Sequence, residues 1–259
     1  MKLLVLAGSG EARQLCERVQ DRPGLEIVAS LAGATRAPVP LGVETRIGGF
    51  GGRAAYRAWL ETHGIEAVID ATHPFAHRMA RRAAEVSAEL GLPHLKILRP
   101  EWRPGPEDRW VMIDREGEAA AHIPPGATVF IATGRRTLED YANLATDGRW
   151  LIVRRIDRPR GPFPLPNGEY QLARPPFSVE EEIAFFRERG VDWLIVRNAG
   201  GTGSWPKLAA ARRLSLPVVM IRRPAPPDCP AVPDVDGAVA WLEGLMRGGG
   251  QDAARKEGA

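Results

Sequence analysis

The chain has 259 residues, of which 44% are hydrophobic and 26% charged, and its formal net charge is +3. These values are typical of a folded globular protein with a sizeable core, and they exclude intrinsic disorder as the main state. No run approaches the roughly 18 apolar residues of a membrane helix. The apolar start breaks off at Gly8, too early for a signal peptide. Cys16 and Cys229 are the only cysteines, which predicts no disulfide framework and a cytoplasmic location.

The basic residues are unusually rich in arginine. Only four of the 35 are lysines, namely Lys2, Lys96, Lys207 and Lys256. Arginine forms bidentate pairs with carboxylates and phosphates, so a polyanionic ligand is one interpretation and a codon bias toward arginine is the other. The arginines are spread along the chain and are nearly balanced by 32 acidic residues, which argues against nucleic-acid binding.

Short apolar runs alternate with amphipathic stretches in the first half, which is the pattern of βαβ units and a parallel sheet. The predicted strands cover residues 2–7, 26–31, 43–47, 67–71 and 94–98. The predicted helices cover residues 11–20, 54–63 and 74–90. The last of these has Pro74 at its first position and Gly91 just past its end, as helices often do.

Residues 99–109 contain three prolines and a glycine and predict a linker. The alternation then resumes, with predicted strands at residues 110–113, 128–132, 150–154, 192–197 and 217–221. Predicted helices lie at residues 116–122, 138–145, 178–189, 206–214 and 236–247; Ser178 and Glu181 form a capping box at the third. The fold class predicted is α/β, with two Rossmann-like three-layer α/β/α domains and mainly parallel sheets. Their extents are 1–98 and 99–247, followed by a disordered tail at 248–259.

Small and polar residues follow the predicted strands at six points. Ligands of open parallel sheets bind outside the carboxyl ends of the strands, so these loops are the candidate sites. The first is Gly8-Ser9-Gly10, a shortened phosphate loop in which bare backbone and a helix start favour a pyrophosphate. It lacks the third glycine of the dinucleotide fingerprint, and a tight turn without a ligand is the alternative.

The loop after the second strand carries no acidic residue between Ser30 and Arg36. An NAD-binding protein usually has an acid there for the ribose hydroxyl, whereas an arginine accommodates a 2′-phosphate. Ser30 and Arg36 therefore favour NADP, and the alternative is that Arg36 is a solvated loop residue. The glycine-rich segment around Gly49 would let a ring or phosphate approach, or is simply a flexible connection.

Thr72 and His73 precede Pro74 and are interpreted first as helix caps and second as ligand contacts. His73 and His77 are four residues apart, but the glutamate of the HExxH motif is absent and no third ligand is apparent, so no metal is predicted. The chain also lacks a Tyr-x-x-x-Lys pair and a G-x-S-x-G nucleophile turn.

Taken together, the loops resemble the precorrin-6A reductase family of cobalamin biosynthesis, which includes cobalt-precorrin-6A reductases. The resemblance covers about residues 2–224, and its most specific parts are Gly-Gly-Phe-Gly-Gly at 48–52 and Ala-Thr-His-Pro-Phe-Ala at 71–76. The chain departs from the family pattern at Ala7-Gly8-Ser9, where Gly-Gly-Thr is common. It departs again at Ala199, where a serine is usual, so no chemistry is assigned to Ala199.

The resemblance implies a pyridine-nucleotide-dependent reduction of the double bond between carbons 18 and 19 of precorrin-6A, giving precorrin-6B; the residues after the second strand favour NADP as the cofactor. Its substrate is a flat anionic tetrapyrrole, which other cobalamin-pathway enzymes would hand over or receive. The residues hypothesised to bind the cofactor are Gly8, Ser9, Gly10, Ser30, Arg36, Gly49 and Thr72. The residues hypothesised to bind the substrate are Arg13, Arg135, Arg136 and Lys207, with the second domain forming the substrate cleft. His73 is the candidate catalytic residue, and solvent is the other candidate for the proton source.

Two further functions stay open from the sequence. A non-catalytic NADP-sensing protein would use the same fold without an arginine-rich substrate cleft. An S-adenosylmethionine-dependent methyltransferase also has a glycine-rich loop after its first strand, but it more often carries an acid at the end of the second strand, and none is present here.

Overall fold

The computed structural model describes residues 1–33, 39–134, 138–156, 158–159 and 161–256, with side chains described as far as residue 248. Within these ranges the chain forms two compact units. The first comprises Met1–Arg99 together with the chain from Pro224 onward, and the second comprises Pro100–Arg223.

Twelve strands are found in the described residues. In chain order they are β1 (Lys2–Leu6), β2 (Glu26–Leu31), β3 (Glu44–Ile47), β4 (Ala67–Asp70), β5 (His94–Ile97), β6 (Trp110–Ile113), β7 (Thr128–Ile131), β8 (Trp150–Arg155), β9 (Gly168–Leu172), β10 (Trp193–Arg197), β11 (Val218–Ile221) and β12 (Ala231–Val232).

The α-helices of the described residues are α1 (Gly10–Val19), α2 (Arg53–Thr62), α3 (His77–Glu89), α4 (Val179–Glu188), α5 (Trp205–Arg213) and α6 (Val235–Lys256). Two 3₁₀ helices span Glu116–Ala121 and Glu139–Tyr141. None of the described helices is both long and apolar enough to cross a bilayer.

The first unit is built on a six-stranded sheet with the order β12-β5-β4-β1-β2-β3, in which all pairs are parallel. Alternate residues of β1 point to opposite faces. Leu3 and Val5 join the core that includes residues of α1 and α6, whereas Leu4 and Leu6 join the core that includes residues of α2 and α3. Apolar side chains thus cover both faces, and the predicted three-layer arrangement is confirmed here.

The second unit has its own six-stranded sheet with the order β6-β11-β10-β7-β8-β9, and again all pairs are parallel. Phe130, Ile152 and Leu194 project from its central strands into a core with Phe186 of α4 and Leu208 of α5. The predicted α/β class with parallel sheets is therefore confirmed in this unit as well.

The C-terminal part of the chain differs from the predicted domain extents. The second domain was expected to continue to residue 247, but the chain from Pro224 onward belongs to the first unit. The physical reason is that β12 pairs with β5 and that α6 contributes Val235, Ala238 and Leu242 to the core beside α1. The helix also continues to Lys256, beyond the predicted start of a disordered tail at 248, and residues 257–259 lie outside the described residues.

Other predicted elements are corrected locally. The segments at 116–122 and 138–145, predicted as helices, contain only the two short 3₁₀ helices. Tyr141 is fully buried there and its hydroxyl donates to Thr133 Oγ1 at 3.2 Å, a tertiary contact that helix propensity does not encode. Strands β9 and β12 were not predicted, because β9 is only half-buried along its length and β12 has two residues.

Candidate functional site

Six of the seven residues predicted to bind the nucleotide lie at one edge of the first unit's sheet, where the carboxyl ends of neighbouring strands meet. They are Gly8, Ser9, Gly10, Ser30, Gly49 and Thr72. The backbone continues the pairing past the strand ends on both sides of β1. Ala7 N–H donates to Ser30 O at 2.9 Å toward β2, and Ala71 N–H donates to Leu6 O at 2.9 Å toward β4. The loops that follow β1, β2 and β4 therefore start side by side.

The loop Gly8-Ser9-Gly10 leads directly into α1. Ser9 is the N-cap, and its hydroxyl accepts the N–H of Ala12 at 3.3 Å. The same hydroxyl donates to Ala71 O at 2.8 Å, which ties this loop to the one after β4. Gly8 and Gly10 are exposed, and a Cβ on Gly10 would meet no atom within 4 Å. Bare backbone at a helix start suits an anionic phosphate group.

The loop after β4 is hydrogen-bonded to a buried carboxylate at the end of that strand. Asp70 Oδ1 accepts the N–H of Thr72 at 2.9 Å, and Asp70 Oδ2 pairs with Lys96 Nζ at 2.8 Å. The backbone of Gly8 runs beside this loop, since a Cβ on Gly8 would lie 3.8 Å from His73 N. The Thr72 hydroxyl is buried and has no hydrogen-bond partner among the described residues, so a bound ligand could satisfy it.

His73 does not cap a helix, which corrects one predicted role. The helix α3 begins at His77, three residues after the predicted start at Pro74, and its N-cap Ala76 makes no side-chain cap bond. The intervening segment is a turn closed by Ala76 N–H donating to His73 O at 2.7 Å. His73 Nδ1 accepts the N–H of Phe75 at 3.3 Å, which favours the tautomer that keeps its proton on Nε2.

Arg46 is a central residue of this edge that the sequence pattern did not indicate. Its Nη1 donates to Ser30 Oγ at 2.7 Å and to Gly48 O at 3.0 Å, and its Nη2 donates to Gly49 O at 3.2 Å. The guanidinium carbon lies 3.9 Å from the centre of the Phe50 ring. The parallel register of β2 and β3 pairs Ser30 with Arg46. This pairing is a tertiary relationship, so no local sequence signal marked Arg46.

The glycine-rich loop after β3 is open: a Cβ added at Gly48, Gly49 or Gly52 would meet no atom within 4 Å. Gly48 and Gly52 also have positive φ angles, which residues other than glycine rarely adopt. The glycine-rich segment thus presents bare backbone beside Ser30 and Arg46, as expected for a ligand-facing loop. The predicted residue Arg36 lies outside the described residues, in the interval 34–38.

An acidic residue at the start of α1 is neutralised by an arginine of the same unit. Both oxygens of Glu11 accept Arg99 Nη1 at 2.8 Å. Burial disfavours the charged carboxylate, but the hydrogen bonds and charge of Arg99 outweigh it and hold the pKa of Glu11 below its ordinary value. The pair limits the repulsion that Glu11 would exert on an anion bound at this helix start.

In the second unit, Lys207 lies in the first turn of α5 near a buried ion pair. Its Nζ donates to Ser204 O at 3.1 Å. Glu182 is almost fully buried and pairs in bidentate fashion with Arg154, at 2.6 and 2.9 Å. Burial lowers the pKa of the Lys207 ammonium to about 8; nearby Glu182 opposes the shift and Arg154 adds to it. A lysine in this state gives up its proton more readily than an ordinary one.

The remaining predicted substrate residues are only partly covered by the structure. Arg13 is exposed on α1, with its Nε 3.9 Å from the carboxylate of Glu17 one turn later. Arg135 and Arg136 lie outside the described residues. Within the described part of the chain, no group of three or more His, Cys, Asp or Glu side chains is arranged to hold a metal ion.

The residues of this edge fit a dinucleotide. The exposed backbone of Gly8 and Gly10 leaves room for a pyrophosphate, and Thr72 offers an unpartnered hydroxyl. Arg46 and Ser30 place a cation and a hydroxyl at the end of β2, where a dinucleotide's ribose is commonly bound. The structure thus brings together one group of predicted residues at the ends of β1 and β4, namely Gly8, Ser9, Gly10, Thr72 and His73. It brings together a second group, Ser30 and Gly49, through their hydrogen bonds with Arg46.

Comparison with known proteins finds relatives described as precorrin-6A or cobalt-precorrin-6A reductases, and these match nearly the whole chain. A precorrin-6A reductase of Rhodococcus erythropolis is 42% identical over 249 residues, which cover 95% of this chain and 99% of the relative. A precorrin-6A reductase of Rhodobacter capsulatus is 39% identical over 93% of this chain and 95% of the relative. A cobalt-precorrin-6A reductase of Priestia megaterium is 26% identical over 86% of this chain and 90% of the relative.

A solved structure described as CobK precorrin-6A reductase superposes with a TM-score of 0.88 at 39% identity, covering 94% of this chain and 96% of that one. The family model described as Precorrin-6x reductase CbiJ/CobK matches residues 2–243. The fold, the loops at the sheet edge and these matches agree, and the chain belongs to the precorrin-6x reductase CbiJ/CobK family of oxidoreductases.

Proposed function

We propose that this chain reduces metal-free precorrin-6A to precorrin-6B in cobalamin biosynthesis, with NADPH as the hydride donor. The observation that carries the proposal is the family match over residues 2–243. When bound, the nicotinamide cofactor supplies the hydride for a carbon–carbon double bond of the macrocycle. The protein's own task is to bind and orient cofactor and substrate and to provide one proton.

The preference for NADPH over NADH is supported by the end of β2. Ser30 and Arg46 are joined by a 2.7 Å hydrogen bond there, and no acidic residue occurs between Ser30 and Arg36. A guanidinium binds a 2′-phosphate well, whereas the carboxylate typical of NAD sites would repel it. Arg46 and Arg36 are therefore assigned to the 2′-phosphate.

The cofactor's pyrophosphate is assigned to the exposed backbone of Gly8 and Gly10 at the start of α1. Ser9 keeps this loop in place through its bonds to Ala12 N and Ala71 O. Thr72, whose hydroxyl lacks a partner among the described residues, is assigned to the cofactor on the β4 side.

The substrate is a macrocycle that carries several carboxylates, so cations are its natural partners. Arg13, Arg135, Arg136 and Lys207 are assigned to these carboxylates. His73 is the candidate proton donor, because Nδ1 accepts a backbone N–H and the ring proton is left on Nε2. Direct protonation by solvent is the alternative route.

A metal-free substrate is favoured over a cobalt complex by the pattern of relatives. Precorrin-6A reductases are 42% and 39% identical to this chain, whereas cobalt-precorrin-6A reductases are 26% to 28% identical.

The proposal also includes a cytoplasmic location and hand-over of the macrocycle between this protein and neighbouring enzymes of the pathway. The free thiols of Cys16 and Cys229 fit a reducing compartment.

The test is a calorimetric titration of the purified protein with NADPH, NADH and S-adenosylmethionine, followed by anaerobic assays with precorrin-6A and its cobalt complex. We expect NADPH to bind at least tenfold more tightly than NADH, S-adenosylmethionine not to bind, and the metal-free substrate to be consumed faster. Binding of S-adenosylmethionine instead, or NADPH binding without any turnover of either macrocycle, would contradict the proposed reductase.

A further inference from the structure

A fully buried ion pair lies beneath the loop that follows β4. Asp70 and Lys96 are partners in the parallel register of β4 and β5, and their charged atoms are 2.8 Å apart. Their side chains are 0% and 2% exposed. Removing two charges from water is costly, and the attraction between buried partners often does not offset that cost in full. Replacing such a pair by apolar side chains of similar volume is often neutral or stabilising, so its burial is weak evidence for a role in stability.

Among the described residues, Lys96 is the only cation that the structure places within hydrogen-bond distance of Asp70. Tyr56 and His94 are buried nearby, and neither the Tyr56 hydroxyl nor either ring nitrogen of His94 has a hydrogen-bond partner in the described part of the chain. Burial lowers the pKa of His94, which keeps its ring neutral. Lys96 is therefore the group that compensates for the carboxylate charge.

The second oxygen of Asp70 is used on the loop itself. It accepts the N–H of Thr72 at 2.9 Å, while Ser9 donates to the carbonyl of Ala71 at 2.8 Å. Two consecutive residues of the loop are thus fixed from opposite sides, one by the buried carboxylate and one by the cap of α1. Gly8 approaches the same backbone closely enough that a Cβ there would lie 3.9 Å from Thr72 Cα.

We propose that Asp70, with its charge balanced by Lys96, is a positioning residue that fixes the Thr72 loop against the Gly8–Gly10 loop and so shapes the cofactor site. The inference rests on the proposed assignment of these loops to NADPH. Asp70 itself is fully buried and acts through the Thr72 N–H, which becomes an unpaired donor when the carboxylate is removed.

Two double variants separate positioning from packing. Asp70→Leu with Lys96→Met replaces the pair by apolar side chains of similar shape and removes the acceptor for Thr72 N–H. Asp70→Asn with Lys96→Gln removes both charges but keeps an amide oxygen that can accept the same N–H. The control is Arg22→Met with Glu243→Leu, which removes a partly exposed 2.5 Å ion pair between the segment after α1 and α6.

The readouts are thermal unfolding, NADPH affinity by calorimetry and amide hydrogen exchange at Thr72. We expect Asp70→Leu/Lys96→Met to fold, to bind NADPH about tenfold or more weakly, and to exchange the Thr72 amide faster. Asp70→Asn/Lys96→Gln should recover most of the lost affinity, and the control pair should bind NADPH like the wild type.

Unchanged NADPH affinity in a folded Asp70→Leu/Lys96→Met protein would overturn the positioning role. If that variant does not fold, Asp70→Val/Lys96→Met takes its place, since a β-branched residue suits a parallel strand and also lacks the acceptor. If neither acceptor-free variant folds, the role is overturned in favour of a purely structural one. Failure of the wild type to bind NADPH would contradict the proposed cofactor and, with it, this inference.

Discussion

Arg46 Nη1 donates to Ser30 Oγ at 2.7 Å, across the register pair that joins β3 to β2. The same guanidinium donates to the carbonyls of Gly48 and Gly49 and packs on Phe50. One side chain thus connects the end of β2 with the glycine-rich loop after β3. This places a cation where the 2′-phosphate of a dinucleotide is commonly recognised.

Replacement of this side chain by Arg46→Met should therefore discriminate between cofactors. We expect NADPH affinity to fall about tenfold or more, because a charge-assisted contact to phosphate is lost, and NADH affinity to fall much less. Calorimetric titration with both nucleotides measures the difference. Arg57→Met, on the exposed face of α2, is the control and should leave both affinities unchanged. Equal losses for the two nucleotides would remove the 2′-phosphate assignment.

Arg36 is the second arginine assigned to the 2′-phosphate, and it is tested separately. Arg36→Ala should weaken NADPH binding far more than NADH binding, by the same electrostatic reasoning. The measurement is again a pair of titrations. A variant in which both nucleotides bind as tightly as in the wild type would mean that Arg36 is only a solvated loop residue.

Ser9 both caps α1 and ties it to the loop after β4, so its loss should have two effects. Ser9→Ala should lower the free energy of unfolding by about 1 kcal/mol, as typical for a lost N-cap, and should also weaken NADPH binding. Urea unfolding and calorimetry measure the two quantities. Ser178→Ala is the matched control, because it removes the cap of α4 in the second unit and should destabilise without altering NADPH affinity. Similar nucleotide affinity in both variants would contradict the role of Ser9.

Lys207 should titrate near pH 8, since its burial penalises the charged form. Reductive ¹³C-methylation followed by NMR at increasing pH suits this chain, which has only four lysines. The unfolded chain binds this proton more tightly than the folded one, so Lys207 should contribute a rise in stability between about pH 8 and the ordinary lysine pKa near 10.4. The raised pKa of the buried Cys16 thiol contributes a fall in stability at similar pH, so the comparison is made between the wild type and a Lys207 variant. Lys207→Met should abolish that rise. A Lys207 resonance that titrates only above pH 10 would contradict the lowered pKa of this lysine.

Arg13 is exposed on the first turns of α1 and is assigned to a substrate carboxylate. Arg13→Ala should raise the KM for precorrin-6A about tenfold with little change in NADPH affinity, since an ion pair to the macrocycle is lost. Steady-state kinetics under anaerobic conditions measure both. Arg18→Ala removes another exposed arginine of the same helix and should have no such effect. Unchanged substrate affinity and turnover in Arg13→Ala would show that the assignment is wrong.

The sequence predicted the parallel sheets well because buried strands such as β1 and β4 are short apolar runs bounded by glycine or polar loops. It did not predict β9, whose residues are half-exposed and show no apolar run. The start of α3 was misplaced because Pro74 is typical of a first helical turn, whereas the Ala76–His73 bond closes a separate turn there.

Part of the candidate site could also be predicted from local sequence patterns. Gly8, Ser9 and Thr72 were identified because small and polar residues at strand ends carry a local signal. Arg46 and the pair of Asp70 with Lys96 were not, because their roles depend on partners 16 and 26 residues away in the sequence. Such contacts follow from strand order and register, which the local pattern does not contain.

The central claim is hydride transfer from NADPH to the macrocycle, and isotope transfer tests it most directly. The protein would be incubated without oxygen with precorrin-6A and NADPH deuterated at either face of carbon 4 of the nicotinamide, and the product analysed by mass spectrometry. We expect a product one mass unit heavier with one of the two labelled cofactors and unlabelled product with the other. Precorrin-6A that is recovered unchanged, or reduced without deuterium from either cofactor, would contradict it.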